Sequence, residues 1–159
     1  MVLPAHGAIQ KAAQHLDYKL YPDNSPDKVQ RLHDSLQSVA YRLQSLEIAY
    51  RRLTLHSFEF SDSFMHLTRR VEETIQTAFD RWAHLERFEE VEHQALQRLS
   101  RDVEQQFADM ATSTELNSDS LKTDLYTMLG SARGLIEAMA SAQGAMNQIN
   151  WQQWATPRF

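Results

Sequence analysis

The sequence predicts an all-α fold, an antiparallel bundle of about four long amphipathic helices plus a short N-terminal helix. Three observations carry that expectation. Apolar residues recur at alternating steps of three and four over four separate stretches, which puts each set on one stripe of a helix. Only 4 Gly and 4 Pro occur in 159 residues, too few for the many turns of an all-β chain. The stretches are joined by short connections, which set consecutive helices antiparallel.

The first element, residues 5–20, carries Ile9, Ala12, Ala13, Leu16 and Leu20 at helical spacing. It ends in Tyr21-Pro22-Asp23-Asn24-Ser25-Pro26, where Pro22 pushes Tyr21 away from helical angles. The second, residues 26–56, opens with Ser25 as a side-chain cap and Pro26 at the first helical position. Val29, Leu32, Leu36, Val39, Leu43, Leu46, Tyr50 and Leu53 then hold a seven-residue repeat that calls for a partner helix. No Gly or Pro follows Pro26 in this run, so a rod of roughly 45 Å is expected.

Ser61 and Asp62 can cap the third element, residues 62–86, built on Phe64, Leu67, Val71, Ile75, Ala78, Trp82 and Leu85. Phe58 and Phe60 sit on the preceding turn and are expected to plug that end of the bundle. The fourth, residues 88–111, uses Val91, Ala95, Leu99, Val103, Phe107 and Met110. No Gly, Pro, Asn or Ser lies between Asp80 and His93, so composition alone allows one helix over 62–111. Glu89 and Glu92 fall where an unbroken stripe wants apolar residues, which favours a break near 86–91. A reversal and a bend both satisfy that pattern.

A polar stretch, Thr112 to Ser120, leads to the last helix, residues 120–150, with Leu121, Leu125, Met128, Ala132, Leu135, Met139, Ala142, Met146 and Ile149 on its stripe. Gly130, Gly134 and Ala138 stand four apart on it, with Gly144 beyond. A helical Gly costs about 1 kcal/mol relative to Ala, and close approach of another backbone is a reasonable offset. Trp151, Trp154 and Phe159 form an aromatic tail. No linker or repeat divides residues 1–159, so one domain is expected.

Composition excludes several function classes. Without cysteine there is no disulfide framework, thiolate metal site or cysteine nucleophile, which fits a reducing, cytoplasmic compartment. A net charge of −5 argues against nucleic acid as a partner. Met1 to Gln10 lacks the basic start and apolar run of a secretory signal. The longest uncharged stretch, Ala138 to Pro157, carries too many amides to cross a bilayer and reads as a soluble helix, so no transmembrane segment is expected.

No catalytic residue, cofactor or metal site is expected. Glu90-Val-Glu-His93 matches the Glu-x-x-His pair of di-iron bundles, but no second such pair exists. Asp62–His66, Asp80–His84 and Glu89–His93 are spaced as ordinary helix-surface pairs. Arg51-Arg52 and Arg69-Arg70, with His56 and His66, make a basic end that Glu59, Asp62, Glu72 and Glu73 dilute. The candidates for partner docking are Gly130, Gly134, Ala138, Trp151, Trp154 and Phe159. The aromatic tail either folds back onto the bundle or anchors a partner.

Tyr41-Arg42-Leu43-Gln44-Ser45-Leu46-Glu47 resembles a cytoplasmic helix of the FUSC (fusaric acid resistance) family of bacterial inner-membrane proteins. So does the end of the chain, where Gly130-Ser131-Ala132-Arg133-Gly134-Leu135-Ile136-Glu137-Ala138 leads to Ile149-Asn150-Trp151, Trp154 and Arg158-Phe159. The resemblance implies the soluble C-terminal helical domain of an aromatic-acid exporter, working at the inner face of the bacterial inner membrane. The membrane helices of that family are missing, so transport by this polypeptide alone is excluded. Long antiparallel helices ending in a Trp-rich segment are also similar to the BAR domains of sorting nexins, although the acidic balance counts against a basic membrane-binding face.

The leading expectation is therefore a non-enzymatic helical-bundle module that assembles with itself, as a homo-oligomer, or with a membrane protein. A BAR-like membrane-binding dimer and a carboxylate–histidine metal bundle are the alternatives. Any membrane contact is expected to be peripheral.

Overall fold

In a computed structural model the described residues are 23–56, 59–84, 89–112 and 118–155, and among them the chain is all-α. Four long helices, α1 (Pro26–Leu53), α2 (Asp62–Ala83), α3 (Glu90–Thr112) and α4 (Asp119–Asn147), are followed by a short α5 (Trp151–Ala155). The expected helix at 5–20 lies outside the described residues, as do Phe58 and Leu85.

Helix boundaries follow local chemistry. Pro26 opens α1, but the Ser25 side chain makes no cap bond. Its carbonyl instead accepts from the Lys28 and Val29 N–H groups, at 3.1 and 3.2 Å. The expected side-chain cap is therefore corrected to a backbone one. The helix stops at Leu53, short of His56, in a turn where the Thr54 N–H still bonds the Tyr50 carbonyl at 3.0 Å. Ser61 and Ser118 do cap α2 and α4, accepting from Phe64 N and Leu121 N. Between Ala83 and Glu90 the chain reverses, so the open question at residues 86–91 resolves as two helices. The Arg81 guanidinium donates to Glu92, and Arg70 pairs with Asp102 at 2.7 Å. Those pairs set α2 and α3 antiparallel.

Packing follows the order α1–α4, α4–α3, α3–α2. Asn24 meets Asn150 at one end of the α1–α4 pair and His56 meets Asp124 at the other, so these helices are antiparallel as well. On the α3–α4 seam Arg133 bridges Glu104 at 3.3 Å and Glu137 at 3.0 Å, and the Phe107 and Tyr126 rings stand 4.6 Å apart. The hydrogen bond to Glu137, then the charge of Glu104, raise the Arg133 pKa above its ordinary value. The main core joins Val39, Ala49 and Leu53 with Phe64, Leu67, Leu99, Val103, Leu125, Leu135 and Met139. A smaller cluster, Val29, Leu32, Ala145, Met146 and Ile149, closes the lower end.

Candidate functional site

α1 and α2 follow each other in the chain but do not pack closely. Eight residues, 54–61, connect them, enough chain to let α2 start well displaced from α1. The repeat on α1 records the gap. One row of its heptad, Leu32, Val39 and Leu53, is buried against α4, with Leu46 half-buried. The other row loses its cover going up the helix: Val29 is 1% exposed, Leu36 and Leu43 are half-buried, and Tyr50 is 47% exposed.

The gap is an apolar groove of about 460 Å³. Leu43, Leu46 and Tyr50 form one wall, and Phe64, Leu67, Val71 and Ile75 form the other. Val103, Met128, Leu129 and Ala132 make the floor. The volume falls in the range of ordinary binding clefts, and the lining has their usual make-up of apolar walls with a few polar groups. Those polar groups are Glu47, Thr68, Glu72 and Gln76. The Thr68 hydroxyl is committed to the Phe64 carbonyl at 3.0 Å, and Gln76 donates to Asp80 at 2.9 Å. Glu47 accepts from Arg51 at 2.5 Å. The groove thus offers apolar surface and two carboxylates, and among its described residues no nucleophile stands beside a base.

The sequence candidates scatter around this site. Gly130 faces solvent, and so does Gly144. Gly134 lies against α1, where an added Cβ would stand 3.1 Å from Arg42 Nη1. Ala138 is buried in the core. A step of four residues advances 400°, so the small-residue stripe winds from solvent into the interior. Trp151 is half-buried, its Nε1 donating to the Met146 carbonyl at 3.2 Å and its ring packing on the lower cluster. The Trp154 side chain and Phe159 lie outside the described residues.

The charged motifs resolve into local pairs. His93 meets Gln97 at 3.1 Å rather than Glu89, and His84 Nδ1 lies 2.7 Å from the Asp80 backbone carbonyl rather than its carboxylate. Among the described residues no three His, Asp or Glu side chains come together as a metal site. In the basic end, Arg51 and Arg70 each pair with a carboxylate. No described helix is long and apolar enough to cross a membrane.

Three features escaped the sequence reading. Asn24, expected only in a turn, is completely buried. Gln143 is buried with neither side-chain polar atom hydrogen-bonded. Trp151–Ala155 forms a short helix that no expected boundary included. No protein-family model, curated protein or solved structure matches the chain.

Proposed function

We propose that this chain is a non-enzymatic interaction module whose open side takes up one amphipathic helix, supplied by a second copy or by a membrane protein. One observation carries the reading: an apolar groove runs between α1 and α2 where the heptad row passes from half-buried Leu43 to exposed Tyr50. Large apolar clefts of this kind mark binding surfaces more often than idle ones. In a membrane-protein setting of the type the FUSC resemblance implies, the module contributes assembly at the cytoplasmic face.

Light scattering on the purified chain, alone and as Thr68→Trp, tests the self-assembling form. Thr68 is half-buried in one wall, so a Trp there fills the groove without opening the core. The expected result is an oligomer that falls to monomer in the variant, with helicity and melting temperature held. A monomeric parent chain overturns self-assembly through the groove and leaves the membrane-protein form of the proposal.

A further inference from the structure

The rim of the groove carries charge as well as apolar surface. Glu47 and Glu72 face it from opposite walls, and among the described residues no Lys or Arg lines it. Among the described residues none hydrogen-bonds or ion-pairs with the Glu72 carboxylate. The Glu47–Arg51 pair is a solvent-exposed i,i+4 contact, which an incoming cation can exchange at small cost. The chain as a whole carries −5, which steers cationic partners toward it.

Backbone chemistry selects the conformation of the occupant. Both walls are helices, so they present no strand edge to an extended segment. An extended peptide in the groove would leave N–H and C=O groups against Leu46, Leu67 and Val71 with nothing to bond. A helix satisfies its own backbone and presents side chains at the three–four spacing of the walls. From Phe64 to Gln76 the α2 wall spans about 18 Å, or roughly twelve residues of helix.

We propose that the occupant is one amphipathic helix of about twelve residues whose apolar stripe is flanked by Lys or Arg, these cations meeting Glu47 and Glu72. The inference rests on the docking reading above and adds the charge of the partner.

Two designed fourteen-residue helical peptides test it, each with leucines on one stripe, one flanked by Lys and the other by Glu. Both are titrated calorimetrically into the full chain, into Glu47→Gln/Glu72→Gln, and into Thr68→Trp. The expected result is binding of the Lys peptide about tenfold tighter than the Glu peptide. That preference should collapse in the double Gln variant, and binding should be lost in Thr68→Trp. Equal affinity for the two peptides, or a preference that survives both Gln substitutions, overturns the charge assignment and leaves the docking reading standing. Failure of both peptides to bind, or binding unchanged in Thr68→Trp, overturns both.

Discussion

Asn24 and Asn150 hold each other through two hydrogen bonds across 126 positions of sequence. The Asn24 amide nitrogen donates to the Asn150 carbonyl at 2.9 Å, and its oxygen accepts from the Asn150 N–H at 2.7 Å. Asp23 reinforces the joint by accepting from the Asn150 and Gln153 side chains. The start of α1 is thereby fixed to the link between α4 and α5. Asn24→Ala leaves the N–H of half-buried Asn150 without a partner, while its carbonyl keeps the Gln153 N–H at 3.3 Å, so the cost is about 1–2 kcal/mol. Urea denaturation should show that loss, and Asp23→Ala, at an exposed position, should cost much less.

Gln143 makes the opposite prediction. Only 2% exposed, it has neither Nε2 nor Oε1 satisfied. Gln143→Met keeps similar length and removes two dehydrated polar atoms, so stability should rise by about 1–3 kcal/mol. In a chain of this size that is a melting temperature higher by several degrees. A fall instead would mean that the amide serves a bound water or a partner group.

The glycines of α4 separate packing from docking. An added Cβ at Gly130 or Gly144 meets nothing within 4 Å, so alanine at either should stabilise by about 0.5–1 kcal/mol. At Gly134 the Arg42 side chain must first swing away, and the gain should be smaller. If Gly130 serves close approach of a partner, Gly130→Ala will raise the melting temperature while lowering the assembled mass. Both changes are read on one sample by calorimetry and light scattering.

Trp151 is tied to the bundle through its indole N–H and the lower cluster. Trp151→Phe should cost about 1 kcal/mol for the lost hydrogen bond. Truncation after Asn150 also removes the ring and the Gln153–Asp23 contact, and should cost about 2–3 kcal/mol. A melting temperature unchanged by truncation, with assembly lost, would instead assign the tail to docking.

The fold class was legible because periodicity is a property of one helix at a time. Val29 through Leu53 declare their stripe whatever they pack against, and Glu89 and Glu92 mark a break in theirs without saying whether the chain bends or reverses there. The groove was hidden for the same reason: Leu43 and Leu53 carry equal apolar signal, and only the placement of α2 decides that one is half open and the other sealed. Asn24 and Gln143 have residue types that ordinarily face water, so their burial depends on distant partners and helix rotation. The spacing of Gly130, Gly134 and Ala138 is plain in the sequence, but four-residue steps drift around the helix, and no sequence rule states where the drift meets the core.

The pairing of α1 with α4 bears on how the polypeptide is made. At about 5–20 residues per second, a ribosome takes on the order of ten seconds to go from Leu53 to Asn147. Throughout that interval the greasy seam of α1 exists without the helix that will seal it, while α2 and α3 can already form their own hairpin. Newborn chains are therefore exposed to aggregation and chaperone capture in a way the finished bundle no longer betrays. Slowing translation between Ala83 and Asp119 should lower the yield of folded protein even though not one amino acid has changed.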